Sequence, residues 1–222
     1  MEMVVAAAGV FALLVISELL WRAKIVRDEV ARKFVHIGVG TFIAFWPYFM
    51  SWQQIELMCL ALLVVVLAVG YLMRYLPKNL HIFHAMHAVS RKTRGEVFFP
   101  VGIGLSALLM PSPIIFTAAI LHLSLADGLA AVVGERYGRP HQYKIGSYTK
   151  TLAGTATFFL TSMLIVATTV LLSGLSVTWA IVPLLVLLPA ATTLVENLAV
   201  GGTDNVFVPI LVIIVLQASG VN

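Results

Sequence analysis

The sequence predicts an all-α membrane protein, a polytopic transmembrane bundle of seven to eight helices. Of its 222 residues, 60% are hydrophobic and only 11% are charged, whereas a soluble domain carries about 25% charged residues. The hydrophobic residues fall into repeated runs that approach the roughly 20 residues a helix needs to cross a bilayer. A soluble fold has too little interior to cover this apolar surface. We therefore predict one integral-membrane domain, residues 1–222.

Eight apolar runs define the expected spans. They cover residues 3–21, 33–50, 55–76, 97–110, 113–133, 152–172, 177–195 and 205–219. The fourth and eighth runs are short for a complete crossing. The fourth also contains Pro100, Gly102 and Gly104, so we expect an irregular helix there, which a membrane tolerates only where protein or water satisfies the backbone.

The distribution of basic residues predicts the orientation. All fourteen Lys and Arg residues occur in three clusters, at 22–33, 74–94 and 136–150, and the loops between these clusters have none. Cytoplasmic loops carry the excess of Lys and Arg in membrane proteins. We therefore predict that the three basic loops face the cytosol, that both termini lie on the opposite, non-cytosolic side, and that a soluble anion binds at the basic face.

Asp127 is the first candidate for chemistry because it lies inside the fifth run. A carboxylate within a span costs roughly 2.5–3.5 kcal/mol on insertion scales, and its presence there indicates a function by default. A structural hydrogen bond to a neighbouring helix is the alternative. Gly128 and Gly134 follow it, and they permit close approach of either another helix or a ligand.

A second group of acids follows the seventh run. Glu196 and Asp204 occupy a loop on the predicted basic face, and the glycines at 201–202 allow a tight turn that brings both acids and Asn205 towards Asp127. Carboxylates that converge repel one another unless a cation neutralises them. Mg²⁺ takes oxygen ligands and is commonly shared between carboxylates and substrate phosphates. We predict Mg²⁺ at Asp127, Asp204 and Glu196; a solvated loop is the alternative.

Basic residues near the same face are candidates for phosphate contacts. Lys150 precedes the sixth run, where Thr149 or Thr151 can cap a helix whose N-terminus attracts anions. Arg32 and His36 share a helix face, and His36 either contacts a phosphate or hydrogen-bonds a neighbour. Together with the acids, these residues suit an enzyme that holds a nucleoside triphosphate and Mg²⁺ against a lipid. The sequence has no Walker-type phosphate loop, so helix ends and loops would form the nucleotide site.

Five motifs, in order along the chain, resemble those of the dolichol kinase, phytol kinase and CTP-dependent diacylglycerol kinase family. They are Arg32-Lys33-Phe-Val-His36-Ile-Gly, Arg94-Gly95-Glu96-Val-Phe-Phe-Pro100, Asp127-Gly128-Leu-Ala-Ala-Val-Val-Gly134, Lys150-Thr151-x-x-Gly154 and Glu196-Asn197-x-x-x-Gly201-Gly202-Thr-Asp204-Asn205-x-x-x-Pro209. Each motif alone is loose, but the ordered set, which runs from position 32 to 209, is specific.

The resemblance implies a CTP-dependent kinase of a membrane lipid alcohol. CTP would donate its γ-phosphoryl group to the hydroxyl of a polyprenol, dolichol, phytol or diacylglycerol, releasing CDP. The catalytic candidates are Asp127, Asp204, Lys150 and His36, with Asp127, Asp204 and His36 as the proton acceptors to choose among. The positions that would bind the nucleotide are Arg32, Lys33, Arg94, Glu96, Gly128, Gly134, Lys150, Thr151 and Asn205. The choice of CTP, rather than UTP or ATP, as the phosphoryl donor rests on the resemblance alone.

One departure from the family pattern and two alternative functions accompany this interpretation. The family usually has an acidic residue where this chain has Ala153. Phosphatidate cytidylyltransferases also resemble the chain, but their Gly-Gly-x-x-Asp-Arg-x-Asp pattern lacks its Arg and second Asp here; a membrane transporter that uses Asp127 is the other alternative. We expect a lipid alcohol from the bilayer and a nucleotide from the cytosol as partners, and no nucleic acid. The lipid and the oligomeric state, a homodimer included, are left open.

Overall fold

The computed structural model describes residues 1–25, 28–72, 75, 95–146, 148–175 and 182–221, without the side chains of 28 and 29. Within these residues the chain forms eight helices, one for each apolar run, which confirms the prediction of a helical protein. They are α1 (Glu2–Arg22), α2 (Asp28–Ala44), α3 (Trp52–Leu72), α4 (Gly95–Leu108), α5 (Pro113–Tyr137), α6 (Leu152–Leu172), α7 (Val182–Leu198) and α8 (Asp204–Ala218), with one 3₁₀ turn at Trp46–Tyr48.

Four of these helices are long and apolar enough to cross a membrane. They are α1, α3, α5 and α6, each 21–25 residues long with a mean hydropathy between 1.8 and 2.6. The other four have 14–17 residues, fewer than the roughly 20 of a full crossing. The chain is therefore a membrane protein. The total of seven to eight crossings, the side of the termini and the cytosolic position of the basic face stay predictions.

The irregular helix occurs in α5 and not in α4. The prediction for the fourth run was wrong, because α4 is α-helical throughout, with Pro100 inside it. In α5, His122–Ala126 form a π-helical turn, and Ser124 Oγ donates to the carbonyl of Ile120 at 2.8 Å. A wide turn of this kind shifts the direction of the side chains that follow and occurs frequently at functional sites. The first residue after it is Asp127.

A short β-hairpin makes the all-α prediction incomplete. Strand β1 (Gln142–Ile145) pairs antiparallel with β2 (Tyr148–Thr151), and Gly146 between them has a φ of 58°, which glycine adopts without steric cost. Strand β2 continues directly into α6. Thr151 Oγ1 accepts a hydrogen bond from the backbone N–H of Gly154 at 3.0 Å, so Thr151, of the two threonines considered, is the N-cap.

Helix α5 lies at the centre of the bundle, with α2, α6 and α8 packed against it. In its most apolar stretch 61% of the residues are buried, compared with 17% in α3. Small residues allow the helices to approach closely. A Cβ atom on Gly128 would lie 2.2 Å from the side chain of Ile37 on α2. The acid that follows the π-turn is therefore held between helices and not at the lipid surface.

Candidate functional site

Asp127 is held by two basic side chains of α2. Lys33 Nζ lies 2.5 Å from Asp127 Oδ2, and His36 Nε2 lies 3.2 Å from the same oxygen. Lys33 and His36 are three residues apart, so they share one face of the helix. All three side chains are largely buried, with 8%, 13% and 15% of Lys33, His36 and Asp127 exposed. Charges this deep persist only when they are paired.

His36 also fixes the π-turn to α2. Its Nε2 lies 2.8 Å from the carbonyl oxygen of Leu123, within that turn. A carbonyl oxygen only accepts hydrogen bonds, so Nε2 carries the hydrogen and the imidazole is a donor at this atom. The ring of Phe99 packs against the imidazole at 4.7 Å between centroids. His36 thus contacts a neighbouring helix, which was one of the two alternatives considered for it.

A second lysine–carboxylate pair connects the hairpin to α7. Lys150 Nζ lies 2.5 Å from Glu196 Oε1 and 3.1 Å from the carbonyl oxygen of the same residue. The Glu196 side chain is 9% exposed and that of Lys150 is 24% exposed. The lysine thus reaches α7 from the hairpin that precedes α6. Lys150 is therefore near the protein surface while its partner lies within the site.

The acids from three parts of the chain line one narrow cleft. Its lining residues are His122, Leu123, Asp127, Phe158, Glu196, Asp204, Asn205 and Val208. The turn predicted between Glu196 and Asp204 forms as expected, because Gly201 and Gly202 both have positive φ, 69° and 97°. The structure thus places Asp127, Glu196, Asp204 and Asn205 together. Leu123, Phe158 and Val208 add apolar side chains to the lining of the cleft.

The carboxylates of the cleft provide oxygen ligands, the type that Mg²⁺ binds. Among the described residues, no three His, Cys, Asp or Glu side chains form a group able to hold one ion. Mg²⁺ does not require such a group, since one or two carboxylates and substrate phosphates are its usual ligands. The side chain of Asp204 has no hydrogen-bond partner within the described part of the chain, whereas lysines engage both Asp127 and Glu196. Asp204 is therefore the most available of the three acids for an ion.

The other predicted nucleotide-binding positions have mixed surroundings. Arg32 and Glu96 are half-buried; Glu96 lies in the first turn of α4 and is not among the residues that line the cleft. A Cβ on Gly134 would lie 2.8 Å from Thr151 Oγ1, so this glycine allows α5 to contact the cap of α6. Arg94 lies outside the described residues. The nucleotide role of these positions stays a prediction.

Sequence reasoning did not assign a role to two further polar residues of the site. His122, fully buried in the π-turn, contacts Ser162 Oγ at 2.8 Å. Tyr143 on β1 donates a hydrogen bond to Asn197 Oδ1 at 2.6 Å. The hairpin did carry a signal, since Tyr143, Ile145 and the residues after Gly146 alternate as strands do. His122 gave none, because a histidine in an apolar run has no distinguishing spacing.

The fold is that of a helical membrane protein in which the lysine–carboxylate pairs Lys33–Asp127 and Lys150–Glu196 meet at one cleft. The chain is 33% identical over 213 residues to the phytol kinase of Synechocystis sp. (strain ATCC 27184 / PCC 6803 / Kazusa), and the match covers 92% of this chain and 85% of that protein. The chain therefore belongs to the phytol kinase family, and the resemblance identified from its motifs is confirmed. No family model matches the chain, and no solved structure matches it.

Proposed function

We propose that the protein is a CTP- and Mg²⁺-dependent kinase that phosphorylates the hydroxyl of an isoprenoid lipid alcohol to the monophosphate and releases CDP. The observation that carries this proposal is the narrow cleft lined both by Asp127, Glu196 and Asp204 and by apolar side chains. Such a cleft suits a substrate that is apolar apart from one hydroxyl. The family relationship to a phytol kinase supports the same substrate class.

The proposed catalysis is mostly positioning and neutralisation of charge, as in other phosphoryl transfers. Asp127 and Asp204 would hold Mg²⁺, which would supply positive charge to the transferred phosphoryl group. Lys33 and His36 fix the Asp127 carboxylate by contacts of 2.5 and 3.2 Å. Lys150 would contact the nucleotide phosphates as a point charge. The nucleotide would enter from the basic face, which we propose is cytosolic.

The hydroxyl of the lipid needs a group that accepts its proton. Of the three candidates, His36 fits least, because it is not among the residues that line the cleft and its Nε2, the nitrogen that faces Asp127, donates to the carbonyl of Leu123. Asp127 and Asp204 remain, and both line the cleft. The apolar tail would lie along Leu123, Phe158 and Val208. This arrangement would bring the hydroxyl to the carboxylates.

Product analysis of the purified protein tests the proposed reaction. The assay combines detergent-solubilised protein, Mg²⁺, CTP labelled on its γ-phosphate, and phytol, farnesol, a long polyprenol or diacylglycerol. We expect label in an organic-extractable monophosphate and release of CDP. Pyrophosphate release with a lipid phosphate, and no label on any alcohol, would instead support a cytidylyltransferase. Uptake of a solute into liposomes that contain the protein, without nucleotide, would support a transporter.

Replacing Lys150 should weaken nucleotide binding. In Lys150→Met the side chain keeps its length but loses the charge, so we expect the KM for CTP to rise about 10- to 100-fold, as loss of a charged hydrogen bond of about 1.5–3 kcal/mol implies. Steady-state kinetics at saturating lipid measures the change. The Lys150→Met, Glu196→Gln double variant should be measured as well, because the single variant leaves the buried Glu196 carboxylate unpaired.

Lys144→Met is the matched control for Lys150→Met. Lys144 lies on the same hairpin, next to Tyr143, the residue of β1 that is opposite Lys150. Its side chain, however, is exposed. We expect this variant to keep the wild-type KM for CTP. An equal rise in both variants would indicate that only the net charge of the hairpin matters, and would contradict a specific contact of Lys150.

A further inference from the structure

The hairpin contacts the bundle through one face. The strand register pairs Tyr143 with Lys150 and Ile145 with Tyr148. Side chains at these four positions project to the same side of the ribbon, and all four are partly buried, whereas Gln142, Lys144 and Thr149 are exposed. This inner face carries Lys150, whose partner Glu196 lies in the cleft.

The Tyr143 hydroxyl attaches strand β1 to two helices. It donates to Asn197 Oδ1 at 2.6 Å and makes a short hydrogen bond with the hydroxyl of Thr155 on α6. Asn197 Nδ2 donates to the carbonyl of Thr193 at 3.0 Å, so the amide group is oriented with its oxygen towards the tyrosine. Asn197 is 9% exposed. Because the Tyr143 hydroxyl has a partner on α6 and another, buried, on α7, it fixes β1 relative to both helices.

Two neighbouring residues of the hairpin thus meet two neighbouring residues of α7. Tyr143 and Lys150 are directly opposite across the strands, and they bind Asn197 and Glu196, which are consecutive in the chain. The tyrosine contact is neutral and contains no positive charge for which a phosphate would compete. The lysine contact is ionic, and a phosphate competes for it directly.

We propose that Tyr143 is a positioning residue, which holds the hairpin on α7 while Lys150 exchanges Glu196 for a phosphate of the nucleotide. This inference rests on the proposed function. Lysine has a flexible four-carbon stem and little geometric preference of its own. If the Glu196 contact were the sole attachment of the hairpin, its loss would release the lysine from the cleft. The Tyr143 contact keeps the lysine in place when its ion pair opens.

The test compares Tyr143→Phe with the wild type in two measurements. The first is hydrogen exchange of residues 142–151 in detergent without any substrate, where we expect faster exchange in the variant. The second is steady-state kinetics with CTP, Mg²⁺ and the preferred lipid alcohol. We expect the KM for CTP to rise about three- to tenfold, the effect of one neutral hydrogen bond, while kcat and the KM for the lipid stay close to the wild-type values.

Tyr148→Phe provides the matched control. Tyr148 lies on the same inner face of the hairpin, and its hydroxyl has no hydrogen-bond partner among the described residues. Removing this hydroxyl should change neither the hydrogen exchange nor the KM for CTP. A double-mutant cycle adds a further check. Because Tyr143 acts through Lys150, Tyr143→Phe should have no further effect on CTP binding, measured directly, in a Lys150→Met background.

The outcomes separate this inference from the proposed function. If the wild type transfers label from CTP to an alcohol but Tyr143→Phe has an unchanged KM for CTP, the positioning role is wrong and the kinase stands. A tenfold effect that persists in the Lys150→Met background would also overturn it, since the tyrosine would then act without the lysine. If the wild type transfers no label, the proposed function fails and this inference fails with it.

Discussion

Replacing Asp127 by Asn should reduce phosphoryl transfer roughly a thousandfold or more, the largest effect that we expect from any single substitution. The carboxylate lies in the cleft beside Glu196 and Asp204. In the proposed reaction it would hold the Mg²⁺ that offsets the negative charge of the phosphates, and such positioning and charge neutralisation give most of the rate enhancement of phosphoryl transfer. Asn has nearly the same shape but no charge. Label transfer from γ-labelled CTP to the preferred alcohol measures the loss.

Asp127→Asn should also lower stability, because of the contact between Asp127 and Lys33. Lys33 is 6% exposed, and Asp127→Asn leaves its ammonium group without the carboxylate 2.5 Å away. Breaking a buried ion pair on one side costs about 3–5 kcal/mol, whereas replacing both partners is often neutral. We therefore expect a lower thermal midpoint in detergent for Asp127→Asn, and recovery of that midpoint in the Lys33→Met, Asp127→Asn double variant.

The double variant separates folding from catalysis. It should be as stable as the wild type and still inactive, which assigns the loss of activity to the missing Lys33–Asp127 pair and not to unfolding. The single variant Lys33→Met, which leaves Asp127 without its lysine, should be unstable in the same way as Asp127→Asn. Wild-type turnover in a folded Asp127→Asn protein would contradict the assignment of Asp127 to the reaction.

The helices were predictable because hydropathy determines them, but their ends were not. The run 33–50 corresponds to α2, which begins at Asp28 and ends at Ala44. Hydropathy excludes the charged residues before position 33, whereas the structure continues the helix through them because Lys33 and His36 are buried against Asp127. The π-turn was missed for a related reason. It depends on packing and on side chains that bind carbonyls one turn back, and no sequence period reports these contacts.

The residues of the cleft were predictable as a group, and their pairings were not. The positions of Asp127, Glu196 and Asp204 indicated convergence, since acids inside an apolar chain must be neutralised. Which lysine contacts which acid depends on the hairpin, whose short and largely polar strands resemble a loop in sequence. The alternation of Tyr143 and Ile145 around Gly146 was the available signal. The contact between Tyr143 and Asn197 needed the structure, because the two residues are 54 positions apart.

Gly102→Ala should disrupt the contact between α4 and α8, with the second largest effect that we expect. A Cβ at position 102 would lie 1.8 Å from the backbone oxygen of Asn205 and 2.8 Å from its carbonyl carbon. Both are backbone atoms, so no side chain can rotate away and the two helices must separate. Overpacking of this kind costs about 1–3 kcal/mol and occasionally more. Since Asn205 lines the cleft beside Asp204, transfer activity should fall as well as stability.

Gly70→Ala is the matched control for this substitution. Gly70 lies in the helix α3, and a Cβ there would meet nothing within 4 Å. Alanine in a helix interior is favoured over glycine by about 0.5–1 kcal/mol, so this variant should keep its activity and its thermal midpoint, or raise the midpoint slightly. Both proteins are compared in the same detergent by thermal unfolding and label transfer. If Gly102→Ala behaved like Gly70→Ala, α4 and α8 would have to lie farther apart than the structure places them, and Asn205 would no longer be fixed at the cleft by this contact.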